Sequence, residues 1–346
     1  MGVAIQNRDR TLDVAKGVAI TLVVFGHALQ YSFGAEWEQS SLFFSNIVFK
    51  IIYSFHMPLL MMISGYLFYH SNQKEFRPLV YSKVKSIGIP MVTFMFLCNI
   101  LTYIRYLAKG DIIHFLLSLL DNCCHGMTMW FLFSVLLNML IVSIITRLFK
   151  RKSTCYLLFF IVFFSSLFIP DSILLSVHKY MFPFFCIGYV LKENNINLYH
   201  YSSNRVLMVI ATLLSIFALF WFDEDTYIYT SGFCVLGDFA RQLYIDSKRV
   251  VIALIVSFTF IQYVHLFTEK YTSAPFSCLG RISLFIYGSS VFIDTVYSKV
   301  FSWNGWNLSF NYIIPALFTL GVLLIATILY KLISKNKITS LLLLGK

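Results

Sequence analysis

The chain has 346 residues, of which 58% are hydrophobic and only 12% charged, with a formal net charge of +11 and a mean hydropathy of +0.76. A soluble domain needs roughly a quarter of its residues charged to cover its surface. This chain lacks that cover, so lipid must supply much of its solvent and a soluble enzyme is excluded.

In chain order, apolar runs close to the ~20 residues that cross a bilayer are expected at 13–31, 51–69, 87–104, 128–146, 154–169, 180–191, 206–222, 250–267, 282–298 and 312–330. The expected fold is all-α: a polytopic integral membrane protein of about ten transmembrane helices, forming one domain over residues 1–346. A stretch around 112–120 reads as a re-entrant or interfacial piece. If the N-terminus is cytoplasmic and the spans alternate, most of the 27 Lys and Arg fall on the cytoplasmic side, among them Lys74, Arg77, Lys83, Lys85 and the group Lys150, Arg151, Lys152. Most acidic residues, including the run Asp223, Glu224, Asp225, then fall outside. That is the positive-inside bias. It places both termini in the cytoplasm and makes the basic excess a topology signal; no nucleic-acid partner is expected. The first run is too long for a signal-peptide core, and no small-residue cleavage site follows Ala28.

The seven cysteines show no CxxC and no metal spacing, and Cys123, Cys124 and the following His125 read as scattered residues. The longest extramembrane segment, 223–249, carries Tyr227, Tyr229, Asp238, Arg241, Tyr244 and Asp246, which suit either a polar ligand or an amphipathic surface helix. Trp303 and Trp306 read as interfacial anchors.

The most informative segment is RDRTLDVAKGVAITLVVFGH, residues 8–27. Ionisable residues within a membrane helix are costly and mark function by default. Lys16 and His27 are eleven residues apart. At about 100° per residue they share a face, separated by roughly 16 Å along the axis. Asp13 lies one turn before Lys16 and can pair with it. In the second span, His56 stands about 20 Å from the cytoplasmic end, at nearly the depth of His27. A facing pair of imidazoles suits general-base chemistry near neutral pH. Pro58 removes a helical hydrogen bond there, and Ser64-Gly65 permits a close approach or an exposed carbonyl. Lys83 and Lys85, before the third span, can bind phosphate, although topology explains them equally well. No histidine begins an H-x3-D or H-x4-D motif, and no P-loop, G-x-S-x-G or H-E-x-x-H occurs.

These elements together resemble the acyltransferase family 3 membrane enzymes, in particular the fucose-4-O-acetylase-like branch. The first helix matches as LDVAKGVAITLVVFGH, with Asp13, Lys16 and His27; the second signature stands as FHMPLLMMISGYLF at 55–68. A basic stretch ending in Pro appears as SKVKSIGIP at 82–90, a WFL element as Trp130-Phe131-Leu132, and a late motif as LGRISLFIY at 279–287. The resemblance implies an O-acyltransferase of a bacterial cytoplasmic (inner) membrane. It would move acetyl from cytoplasmic acetyl-CoA, a co-substrate rather than a bound cofactor, to a hydroxyl of a cell-surface polysaccharide or its lipid-linked precursor. It further implies His27 as the catalytic residue, assisted by His56 or Asp13. Lys16, Lys83 and Lys85 would hold the CoA phosphates, and Ser64, Gly65, Trp130 and Tyr287 would contact substrate. No metal is implied. The chain departs from its relatives in having Lys16 where many have Arg, Ser86 at a place often basic, and Ser290 where many have His. Direct attack by a deprotonated hydroxyl and a relay through acyl-His both fit the motifs. Intramembrane charges also fit a transporter or flippase of a glycolipid or anion, although no paired broken helices of the transporter kind are legible. A catalytically silent relative is the third reading.

Overall fold

Six helices are long and apolar enough to cross a membrane, and a seventh crossing arises if one sharply bent pair counts as a single span. They belong to a computed structural model that describes residues 8–32, 41–125, 129–171, 175–304 and 312–346. Helix α1 spans Arg10–Ser32, α2 Ser41–Ser45 and α3 Ile47–Asn72; α4 covers Phe76–Lys83 and α5 Ile89–Ala108. Next come α6 (Ile112–His125), α7 (Trp130–Leu148), α8 (Lys152–Ser166), α9 (Leu175–Glu193), α10 (Arg205–Trp221) and the short α11 (Ile228–Ser231). The chain closes with α12 (Phe239–Lys270), α13 (Ala274–Arg281), α14 (Ser283–Asn304), α15 (Ile313–Ile333) and α16 (Lys337–Leu344). Among the described residues all regular structure is helical.

Each of the ten expected spans coincides with a helix, but four of them fall short of an independent apolar crossing. The 15 residues of α8 and 17 of α10 rise only about 22–26 Å against a hydrocarbon core of about 30 Å. Helix α9 carries His178, Lys179, Lys192 and Glu193, yet most of its residues are buried, so neighbouring helices rather than lipid receive those groups. Helices α13 and α14 meet at a 78° bend. The 112–120 stretch is part of α6, which packs on α5 and leaves Ile113, Leu117 and Leu120 exposed.

Helix α1 is the central post, packed by α3, α12, α13, α14 and α15. Two glycine contacts fix its neighbours. A methyl group on Gly17 would meet the Phe276 carbonyl at 1.9 Å, and one on Gly280 the Asp13 carbonyl at 1.8 Å, so α1 and α13 touch backbone to backbone. Gly65 of α3 and Gly188 of α9 do the same, with the Phe185 and Met62 carbonyls at 2.0 and 1.9 Å from the added carbon. Small residues at helix crossings let backbones approach and gain dispersion contacts where no hydrophobic force separates helix from lipid. Outside this centre, α10 and α15 present Leu213, Phe217, Phe220, Leu317, Leu320 and Leu324 outward, each more than half exposed. A surface that apolar is untenable in water and suits a bilayer.

The polar ends are fastened locally. The Asn46 side chain accepts from the Val48 and Phe49 N–H groups at 2.9 and 3.2 Å and caps α3. Pro90 has no N–H for the Ser86 carbonyl, and just ahead of it the backbone widens so that the Ile89 N–H reaches the Val84 carbonyl, five residues back. At that wide turn, Val84–Gly88, Lys83 and Lys85 face different surroundings.

Candidate active site

Two cavities flank α1, one at the level of His27 and one at the level of Lys16. The first has a volume of about 210 Å³. Both His27 from α1 and His56 from α3 line it, with Gln30, Tyr53, Trp130 and Tyr229 among the other walls. His56 is buried, and its Nδ1 stands 2.5 Å from the Ile52 carbonyl. A carbonyl only accepts, so Nδ1 carries a proton, and the neutral form of the ring has its lone pair on Nε2. Tyr53 packs edge-on against that ring at 5.0 Å. The Tyr53 hydroxyl donates to Gln30 Oε1 at 2.5 Å, and Gln30 Nε2 donates to the Tyr227 hydroxyl at 3.2 Å. This chain ties α1, α3 and the 223–238 segment around the imidazoles. Pro58 lines the same cavity and gives no hydrogen bond to the Ser54 carbonyl one turn back.

The far wall is riveted by Arg249, which is 2% exposed. Its Nε donates to the Thr226 carbonyl at 2.7 Å, Nη1 to Gly232 O at 2.9 Å and Asp246 Oδ1 at 2.8 Å, and Nη2 to Asp225 O at 3.0 Å and to Ser231 Oγ. All five guanidinium donors are thereby used. Tyr180 and Phe233 cover the cation at 5.7 and 5.6 Å. Arg249 therefore holds the loop in place rather than offering a free hand to a ligand.

The second cavity measures about 270 Å³. Lys16 and Lys83 stand in its walls with the hydroxyl-bearing Ser64, Ser71 and Ser283. Lys83 donates to Ser71 Oγ at 3.2 Å and lies 5.8 Å over the Phe68 ring; among the described residues no carboxylate pairs with it. Lys16 is 3.0 Å from Asp13 Oδ1. The buried Asp13 carboxylate also receives Arg8 at 2.5 Å and faces Arg281 at 3.7 Å. It sits in the first turn of α1, where the helix dipole favours a negative charge. The chemistry offered here is cationic: one uncompensated ammonium and one partly compensated.

The structure thus divides the residues singled out in the sequence. His27, His56 and Trp130 share the imidazole cavity, Lys16, Lys83 and Ser64 the lysine cavity, and Tyr287 lines both. Lys16 and His27 do keep to one flank of α1, but in successive chambers. Asp13 lines neither chamber and pairs with Lys16. Lys85 lines a separate groove with Lys335, Lys337 and Lys346, and Gly65 faces the Phe185 backbone as a helix contact. From the 223–249 segment, Tyr227 and Tyr229 reach the imidazole cavity, whereas Arg241 pairs with Asp225 and Tyr244 accepts from Trp221. Trp306 and the side chains of Trp303, Cys123, Cys124 and His125 lie outside the described residues.

Comparison with known proteins agrees with this arrangement of motifs. The family model described as an acyltransferase domain, Acyl_transf_3, matches residues 9–332. The chain belongs to acyltransferase family 3. Within the family it is similar to the Nodulation protein NolL of Mesorhizobium japonicum, 28% identical over 239 residues, covering 65% of this chain and 59% of that protein. It is likewise similar to the Nodulation protein NolL of Sinorhizobium fredii, 31% identical over 232 residues, covering 65% of this chain and 60% of the relative. The chain therefore spans about three fifths of the length of these curated relatives. No solved structure matches it.

Several wall residues were not singled out from the sequence. Gln30 follows His27 by three residues and Tyr53 precedes His56 by three, so helical spacing brings each to its histidine's face. Ser71 likewise stands about two turns beyond Ser64 on the same face of α3. Arg249 had one local signal, Asp246 three residues earlier on α12, but its other partners lie 17 to 24 residues earlier, beyond the reach of helical spacing.

Proposed function

We propose that this chain is a membrane O-acetyltransferase that moves an acetyl group from cytoplasmic acetyl-CoA to a hydroxyl of a cell-surface polysaccharide or its lipid-linked precursor. The observation that carries the reading is the abutment of a cationic chamber and a chamber with two imidazoles along one helix. The protein is read as a multi-pass protein of a bacterial cytoplasmic membrane, with ten crossing segments and both termini cytoplasmic. The charge distribution and the ten helices at the expected positions support that topology.

CoA enters the lysine cavity, where Lys83 and Lys16 attract its phosphates as point charges. The extended pantetheine arm then delivers the thioester toward the imidazole cavity. The acceptor hydroxyl occupies that cavity, whose Tyr, Trp and Gln walls suit a sugar ring. His27 takes the hydroxyl proton. The new C–O bond forms at the acyl carbon, the C–S bond breaks, and the proton passes on to the leaving thiolate. His56, with its Nε2 lone pair and its Nδ1–H pinned to Ile52, is placed to orient or relay that proton. Asp13 holds Lys16 in position at the mouth. Mass spectrometry of surface polysaccharide from cells with and without the chain tests the reading. A difference of one acetyl per repeat supports it, and identical spectra refute it.

A further inference from the structure

The two chambers adjoin along α1, α3 and α7. On α1 the lining passes from Ile20, in the lysine cavity, to Val23, in the imidazole cavity; on α3 it passes from Leu60 to Pro58, and on α7 from Phe131 to Trp130. Each helix therefore changes chamber within one turn. Helix α14 contributes Tyr287, which lines both cavities. This ring is 4% exposed and packs against Phe131 at 5.6 Å. Its hydroxyl accepts from the Phe131 N–H at 3.4 Å, in the first turn of α7, and keeps its own hydrogen to donate. Ile20, Leu60 and Phe131, which line the lysine cavity with it, and Val23, which lines the imidazole cavity, are all buried and apolar.

We infer that Tyr287 is the partition between donor and acceptor chambers, a positioning residue that keeps acceptor-side water from the thioester. The inference rests on the acetyl-transfer reading above. At the junction of the two chambers an acyl thioester meets two nucleophiles, the acceptor hydroxyl and water. If water wins, its oxygen bonds to the acyl carbon, the C–S bond breaks, and one of its protons goes to the departing thiolate, leaving acetic acid and free CoA. Side chains that exclude water from the junction decide between these outcomes. The ring supplies the bulk, and the Phe131 N–H with the Phe131 ring holds it in register.

The test uses the full-length protein in proteoliposomes made with the native lipid and glycan extract, with acetyl-CoA as the probe. Free thiol released and acetyl ester formed are counted together. For the wild type the ratio of CoA released to ester formed is expected near one. Tyr287→Phe keeps the ring and is expected to keep the ratio, whatever it does to the rate. Tyr287→Ala opens the junction, and the ratio is expected to rise by about tenfold or more as water replaces the acceptor. Leu60→Ala opens the same junction from α3 and is expected to raise the ratio in the same sense, which covers the case of a poorly folding Tyr287→Ala. An unchanged ratio in inserted Tyr287→Ala, or in Leu60→Ala, overturns the partition while the acetyl-transfer reading stands. A wild type that forms no ester overturns both.

Discussion

Removing the charge of Lys83 separates donor recognition from catalysis. Among the described residues its ammonium meets only a hydroxyl and an aromatic face, so its charge is uncompensated in the lysine cavity. A charge-assisted hydrogen bond to phosphate contributes about 1.5–3 kcal/mol, or roughly 10- to 100-fold in affinity. The phosphates lie far from the reacting carbonyl, so the loss is one of uniform binding and falls on KM rather than kcat. Lys83→Met is therefore expected to raise KM for acetyl-CoA by about 10- to 100-fold with kcat nearly held. Lys16→Met is expected to do less, because Asp13 at 3.0 Å already offsets part of that charge. The assay is steady-state thiol release with two donors, acetyl-CoA and acetyl-pantetheine, forming a double-mutant cycle. Acetyl-pantetheine has no phosphates, so wild type and Lys83→Met should use it equally well. An equal KM penalty for both donors would show that Lys83 matters for packing, and the phosphate assignment would be refuted.

Four further outcomes are expected. His27→Ala should lower ester formation by about 100- to 10,000-fold while the protein still inserts, as measured by membrane fractionation beside the transfer assay. Gly65→Ala forces a methyl group to within 2.0 Å of the Phe185 carbonyl and should cost about 1–3 kcal/mol in detergent melts, whereas Gly321→Ala meets open space and should be neutral or stabilising. Arg249→Met strands the buried Asp246 carboxylate and the loop carbonyls, and should destabilise by about 3–5 kcal/mol with a loss of acceptor-side activity. In the loop after α10, burial pushes the Asp223 carboxyl up, but the Lys248 ammonium at 2.5 Å and the Thr226 hydrogen bonds outweigh it and hold the group below the usual carboxylate range. A carboxylate lowered on folding stabilises above its unfolded value and loses that stabilisation as pH falls through the lowered one. Asp223→Asn should therefore melt below wild type at pH 7 and converge with it in acid.

Much of the fold was legible because hydrophobic runs and basic loops report directly on a bilayer. The ten runs became helices, yet whether a helix crosses by itself depends on its neighbours. Helix α9 keeps Lys179 because Asp171 meets its ammonium at 2.9 Å and backbone carbonyls surround it, a tertiary fact absent from local hydropathy. The site was half legible. Helical spacing brought Lys16 and His27 to one face, and depth matched His27 to His56, which share a cavity. The break between chambers was not legible, since it depends on Tyr287 arriving from a helix more than 250 residues away from α1. Lys85 and Lys83 face different surroundings because residues two apart on a helix stand about 200° apart, so a 3.6-residue period already argues against their sharing one phosphate site. Gly65 belonged to a helix crossing, and only the position of α9 reveals that.

The most direct measurement supplies acetyl-labelled acetyl-CoA to the cytoplasmic face of inverted membrane vesicles containing the chain or its His27→Ala variant. Label recovered as a base-labile ester on glycan or lipid-linked saccharide, with the wild type alone, is the expected result. Label that crosses the membrane without covalent incorporation, or equal incorporation by both proteins, would contradict acyl transfer through these two chambers.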